Sequence, residues 1–180
     1  MVNPDIESIL ISEEELGAKV REMGEEITRR YAGREPLFVG VLKGSFVFMA
    51  DVLRCIDLPC SVDFMAVSSY GAGTESSGRV RIDKDLGHDI KGRDVVILED
   101  ILDSGTTLHY LLKVLAERGP ASLAVYTLLD KPARRKKEVK AEMTGFTIPD
   151  AFVVGYGLDY DEKYRNLPYI GVLRPEVYGG

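Results

Sequence analysis

Apolar residues recur along this chain in two rhythms. From Ser12 onward, Leu16, Val20, Met23, Ile27 and Tyr31 return every three or four positions, the spacing that lines one face of a helix. Ser12 followed by Glu15 is a capping-box pattern that starts it. Short, nearly continuous apolar runs come next: PLFVGVL (36–42), CSVDFMAVSSY (60–70), DVVILED (94–100), ASLAVYTLL (121–129) and AFVVGY (151–156), with an alternating RVRID (79–83). Runs of this length predict strands, mostly buried on both faces. Between them FVFMADVLRCI (46–56) is apolar on nearly every side and predicts a buried helix, while Leu108, Leu111, Leu112 and Leu115 give a further helix its face. Strands alternating with helices predict an α/β fold: a mostly parallel twisted sheet with helices on both faces. GAGTESSG (71–78), with three glycines and no core-forming residue, predicts a mobile loop.

A length of 180 residues with 45% hydrophobic content predicts a single domain over residues 1–180. No apolar run approaches the roughly 18 residues of a membrane span, and the first residues lack a signal-peptide pattern, so the chain reads as cytoplasmic with no membrane partner. Cys55 and Cys60 lie in or beside apolar segments without a second pair to complete a zinc site, and read as buried, reduced thiols. The net charge of -6 argues against a nucleic-acid partner, because that binding needs a positive footprint. An anionic ligand would need local positive groups.

Candidate chemistry concentrates in VVILEDILDSGTTL (95–108). An apolar strand runs into Glu99, Asp100 and Asp103, then into Ser104, Gly105, Thr106 and Thr107 at the start of a helix. In an open parallel sheet, ligands bind beyond the carboxyl ends of the strands. The first N–H groups of a helix have no intrahelical partners and carry the positive end of its dipole, so residues 104–107 can cradle a phosphate. The acids cannot contact that phosphate; they need a metal or donors, and vicinal sugar hydroxyls are donors. Together these point to a ribose 5-phosphate. The plain alternative is that Ser104 or Thr106 merely caps the helix while the acids complement its dipole. Two other phosphate-binding patterns are missing: there is no G-x-x-x-x-G-K-[ST], and Gly71, Gly73 and Gly78 do not fit G-x-G-x-x-G.

The same stretch closely resembles the phosphoribosyl-diphosphate (PRPP) motif of the type I phosphoribosyltransferases, in particular the 6-oxopurine branch that acts on hypoxanthine or on hypoxanthine and guanine. GVLKGSFVFMADVLR (40–54), SSYG (68–71), LLDKPARR (128–135) and IPDAFVVGYGLDYDEKYRNLPYIGVL (148–173) resemble the matching family segments, in family order. The resemblance implies transfer of a 5-phosphoribosyl group from PRPP to a purine base with release of pyrophosphate, Mg²⁺ as cofactor, a small hood built from the terminal segments, and a homodimer or homotetramer. Asp103 is implied as general base or acceptor at purine N7, a carboxylate that marks the 6-oxopurine branch. Glu99 and Asp100 would face the ribose hydroxyls and the magnesium shell, and Asp159 would contact the metal directly or through water. Lys43 and Gly44, preceded by a non-proline cis peptide, and Arg165 would bind pyrophosphate. Lys131 would contact the 6-oxo group, Phe152 would stack on the base, and the Val153 backbone would read its edge. Ser69 and Tyr70 would begin a loop that closes over the site.

Several of these residues also have bland readings: Lys43 as a solvated lysine in a turn, Arg165 as exposed beside Asp161 and Glu162, Phe152 and Val153 as core. In KPARRKK (131–137) only Lys131 directly follows the strand, and Arg134 to Lys137 read as a solvated basic face. His88 and His109 read as surface residues. Three rival functions stay open: a xanthine-guanine enzyme of the same fold, a PRPP-sensing regulator that binds RNA, and a noncatalytic scaffold.

Overall fold

The computed structural model describes residues 3–69 and 80–179. In chain order its elements are β1 (Ile6–Ile11), α1 (Glu13–Arg30), β2 (Leu37–Leu42), α2 (Phe46–Leu53), β3 (Ser61–Ser69), β4 (Val80–Lys84), β5 (Asp94–Leu102), α3 (Thr106–Ala116), β6 (Ser122–Asp130), a 3₁₀ turn (Pro132–Arg134), β7 (Met143–Thr147), β8 (Val153–Val154), β9 (Ile170–Leu173) and α4 (Pro175–Tyr178). Six strands form one sheet in the order β4-β3-β2-β5-β6-β7, parallel throughout except for β4 at the edge. Among the described residues no helix is long and apolar enough to cross a membrane.

The two rhythms of the sequence explain the layers. Ser12 starts α1 with the full capping box, its hydroxyl accepting the Glu15 N–H while the Glu15 carboxylate accepts the Ser12 N–H at 2.8 Å. Leu16, Val20, Met23 and Ile27 of α1 and Phe48, Met49 and Val52 of α2 pack on one face of the sheet against Phe38, Val96 and Leu98. Leu108, Leu111 and Leu115 of α3 pack on the other face against Val39, Val95 and Ile97. Successive residues from Val95 to Leu98 of β5 therefore feed opposite cores, which is why that stretch is apolar without interruption.

Four expectations change. Residues 151–156 do not extend the parallel sheet: only Val153 and Val154 form a strand, paired with Val172 and Gly171 in a separate antiparallel sheet of order β1-β9-β8. A short apolar run specifies burial but not its partner; here the partner is β9, which on its other side pairs with β1 from the opposite end of the chain. That second sheet joins the two terminal segments, as the hood was expected to do. β5 runs on through Leu102, past two of its acids, and α3 starts only at Thr106. Cys60 is exposed and Cys55 half-buried, because both lie in the turn that leaves α2 and enters β3. α2 stops at Leu53, three residues short of the apolar run.

Candidate active site

The carboxyl ends of β2, β3 and β5 and the start of α3 enclose a cavity of about 340 Å³ lined by Gly44, Ser68, Glu99, Asp100, Asp103, Ser104, Gly105 and Thr107, among others. In a regular strand adjacent residues point to opposite faces, which would separate Glu99 from Asp100. Here the alternation inverts across them. Val95 and Ile97 belong to the α3 core and Val96 and Leu98 to the α1–α2 core, yet Ile101 packs with the latter and Leu102 with the former. The inversion brings both carboxyls to one cavity, where they hydrogen-bond each other. Burial pushes Glu99 well above the usual carboxylate range, and the neighbouring Asp100 charge and hydrogen bond add to the rise. Burial raises Asp100 as well, opposed by hydrogen bonds from Glu99 and from backbone N–H groups, and by the Arg165 charge. Two buried carboxyls so close repel each other when both are ionised and gain from donors or a cation.

Gly105 is the residue before α3, with φ +76°, so it supplies a left-handed corner and no capping side chain. A Cβ there would stand 2.2 Å from the Lys137 carbonyl oxygen. Ser104 Oγ accepts the Thr106 N–H at 3.3 Å, and the first helical bond runs from the His109 N–H to the Gly105 carbonyl. Gly105, Thr107 and Leu108 of this helix start line the cavity, and N–H groups in a first helical turn have no intrahelical acceptor, the feature the phosphate reading needs.

A second cavity, about 190 Å³, is lined by Ile101, Asp103, Lys131, Arg134, Phe152, Val153, Leu158 and Asp159. It unites the three residues expected to bind the purine, drawn from the end of β6 and from β8 with the residue before it. Asp103 lines both cavities. Its Oδ1 is buried without a hydrogen-bond partner among the described residues, and its Oδ2 lies 3.8 Å from Lys131 Nζ. Lys131 is 6% exposed and donates to the Ala151 carbonyl at 3.2 Å, so it is not part of a solvated face. Phe152 is 37% exposed; Tyr178 stacks on it with ring centroids 4.7 Å apart, and Tyr160 meets it edge-on at 5.5 Å. Val153 is buried.

The third part is the turn after β2. The Leu42–Lys43 peptide is cis. A Cβ on Gly44 would sit 1.7 Å from Asp100 Oδ2, so only glycine lets this turn lie against the acidic pair. Lys43 is exposed and pairs with Glu162 at 2.9 Å. Arg165 is drawn inward: it donates to the Gly157 carbonyl at 2.8 Å and pairs with Asp159 at 3.0 Å, while its buried Nε lacks a partner among the described residues. Its longer contacts to Glu162, at 3.4 Å, are secondary. The loop holding these residues carries all four of the non-glycine residues with positive φ among those described, namely Tyr156, Asp161, Glu162 and Tyr164. Such conformations are held only where the surroundings impose them, and they cluster at functional sites.

Among the described residues no group of three or more His, Cys, Asp or Glu side chains comes together to hold a metal. Asp159 pairs with Arg165 and lines the smaller cavity, whereas Glu99 and Asp100 line the larger one. The donor set still suits magnesium, which is bound by one or two carboxylates together with substrate phosphates rather than by an all-protein cage. Tyr70 and residues 71–78 lie outside the described residues, as does the side chain of Ser69. His88 and His109 are exposed, in line with expectation. Arg135 departs from it: its side chain is 13% exposed and bonded to the ends of both β5 and β6, whereas Arg134 stays exposed and pairs with Asp150. Nothing in the sequence separates these neighbouring arginines except their distance from Lys131. Tyr178, behind Phe152, carried no signal either.

Comparison with known proteins follows the same lines. A model of the phosphoribosyl transferase domain matches residues 8–161. The hypoxanthine-guanine phosphoribosyltransferase of Bacillus subtilis (strain 168) is 57% identical over 178 residues, covering 99% of both chains. The bifunctional protein TilS/HprT of Listeria monocytogenes serotype 4b (strain F2365) is 57% identical over 174 residues, and there the chain spans only 27% of the relative's length. A crystal structure of a hypoxanthine phosphoribosyltransferase from Staphylococcus aureus superposes with a TM-score of 0.94 at 52% identity, covering 98% of this chain and 96% of that one. Sheet order, the acidic strand end with its helix-start cradle, and likeness over nearly the whole chain agree: this protein belongs to the phosphoribosyl transferase domain family.

Proposed function

We propose that the protein transfers the 5-phosphoribosyl group of PRPP to hypoxanthine and guanine, yielding IMP or GMP and pyrophosphate in purine salvage. The observation that carries this is Asp103 at the junction of the two cavities, with one acceptor oxygen unpaired among the described residues and Lys131 Nζ 3.8 Å from its other oxygen. A 6-oxopurine presents O6 and N7 side by side on one edge. Lys131 donates to O6 while Asp103 accepts the proton at N7. Adenine would turn an amino group toward the Lys131 donor and leave both unsatisfied, a mismatch that discriminates strongly in a buried site.

The remaining residues take roles around that edge. Phe152 stacks on the base and the Val153 backbone meets its far side. The N–H groups and hydroxyls of residues 104–107 hold the 5-phosphate, and Glu99 and Asp100 accept the ribose hydroxyls. Lys43, the Gly44 backbone and Arg165 hold the diphosphate. With its N7 proton shared to Asp103, the base gains electron density at N9, which bonds to ribose C1′ as the bond from C1′ to the diphosphate oxygen breaks. The fixed negative charge of the acidic pair favours the positive charge that develops on the ribose. Mg²⁺, held by substrate phosphates with Glu99, Asp100 or Asp159 in its water shell, would neutralise charge on the leaving diphosphate.

A homodimer or homotetramer belongs to the same proposal, supported by the exposed apolar side chains Phe46 and Val62. So does a cytoplasmic setting, with which the two free thiols agree. The test is nucleotide formation from PRPP and Mg²⁺ with hypoxanthine, guanine, xanthine and adenine offered separately. Product with hypoxanthine and guanine but not adenine is expected; PRPP binding with no product from any base would overturn the reading.

A further inference from the structure

Arg135 lines neither cavity, yet it touches the backbone on which both depend. Its Nε donates to the Asp103 carbonyl at 3.0 Å and its Nη2 to the Leu102 carbonyl at 3.2 Å, and Nη2 also pairs with the Asp130 carboxylate. Asp130 is the last residue of β6 and immediately precedes Lys131. A single planar guanidinium therefore joins the end of β5, which carries Asp103, to the end of β6, which carries Lys131. One backbone bond reinforces the tie, from the Lys131 N–H to the Leu102 carbonyl at 3.0 Å.

We infer that Arg135 is a positioning residue that sets the Asp103 carboxylate against Lys131, so that N7 and O6 of one base are met together. The inference rests on the proposed role of Asp103. The Arg135 stem packs beside Gly105, its Cδ 3.1 Å from where a Cβ there would stand, but the hydrogen-bonded brace of the proposed phosphate cradle is a different one: the Lys136 and Lys137 N–H groups donate to the Ser104 carbonyl at 2.9 and 3.0 Å, bonds that use no Arg135 side-chain atom. Loss of the guanidinium should thus disturb the acid–base edge and spare the phosphate site. Lysine cannot replace it, because one ammonium does not span two carbonyls and a carboxylate in the plane of a fork.

The experiment compares wild type, Arg135→Ala, Arg135→Lys, Asp103→Asn and the Arg135→Ala/Asp103→Asn double variant. It reads the single-turnover rate with PRPP, Mg²⁺ and hypoxanthine, which does not depend on the folded fraction, and the PRPP dissociation constant by calorimetry. Arg135→Ala should slow the step about a hundredfold, the scale of a displacement near 1 Å, with PRPP affinity kept within about threefold. Arg135→Lys should be nearly as slow and supplies the measurement should the alanine variant fail to fold. In the Asp103→Asn background the second change should cost little more, since a residue acting through Asp103 has nothing left to position. Millimolar guanidinium should restore part of the rate of Arg135→Ala, and methylammonium none.

An unchanged rate in both Arg135 variants, a parallel loss of PRPP affinity, or full additivity with Asp103→Asn would each overturn the inference. The single Asp103→Asn variant keeps the two readings apart. If it turns over like wild type, the role of Asp103 falls; if it is slow while the Arg135 variants are fast, only the role of Arg135 does.

Discussion

The two cavities that meet at Asp103 are built in opposite ways. The larger one owes its chemistry to one continuous segment, residues 99–107, in which a strand end and a helix start place two carboxyls, a left-handed glycine and free N–H groups by local geometry. The smaller one is assembled from β6, β8 and the loop beyond it, so that Lys131, Phe152 and Asp159 meet only after the sheet and the hood have formed. A phosphate can be held by backbone alone, which nearly any sequence supplies at a helix start. A purine must be told from other purines, and that takes side chains of particular chemistry brought from separate elements.

If Asp103 is where the two constructions join, its carboxyl should matter most. Asp103→Asn keeps the shape and removes the base, and turnover should fall about 10²- to 10⁴-fold while PRPP affinity changes little. Calorimetric PRPP titration beside steady-state rates checks this, and a large loss of PRPP binding would show the cavities to be one site. Lys131→Ala confines the damage to the smaller cavity. Removing a charged donor to O6 is expected to lower kcat/KM for hypoxanthine roughly 10- to 100-fold, again with PRPP binding intact. Equal losses for PRPP and base would break the comparison.

Glu99 probes the larger cavity through stability. Because burial and Asp100 raise its folded-state value above the ordinary 4.5, the pair contributes most below that pH and the contribution is lost as pH climbs through the raised value. Glu99→Gln removes this liability. Without ligands the variant should melt above wild type at neutral pH, by about 2–4 °C for each kcal/mol relieved, and the difference should vanish toward pH 4.5. A melting difference that ignores pH would refute the upward shift of Glu99. The smallest effect belongs to Tyr178, which backs Phe152 without lining the cavity. Tyr178→Ala should raise KM for the base about two- to tenfold, the worth of one aromatic pair, with KM for PRPP unaltered.

The contrast also explains what could be read in advance. The parallel sheet, the capped first helix and the glycine-turned helix start after an acidic strand end follow from patterns carried by neighbours in sequence, namely periodicity, a capping box, and small residues after a buried strand. By its residues alone Lys131 could be set apart only as the basic residue that follows a strand, and Phe152 and Val153 looked like core; their roles came from resemblance, because periodicity cannot say which distant segments converge. Arg135 shows the limit plainly. In KPARRKK it is one basic residue among five, and only the 3₁₀ turn after β6 swings it under the ends of two strands while leaving Arg134 in solvent.

Local sequence thus determined strands β2 to β6 and helices α1 to α3 in approximate bounds, and that an acidic strand end would precede a helix start, while β1 and β7 gave no reading. Tertiary structure decided the rest: the sheet to which residues 153–154 belong, the inversion that turns Glu99 and Asp100 to one side, and the meeting of Asp103 with Lys131. The reason is physical. Hydrogen bonds along a helix and alternation along a strand are short-range and repeat with the chain, whereas the partners of a buried charge are whatever the packed elements bring within a few ångströms, and that is set only when the whole core closes.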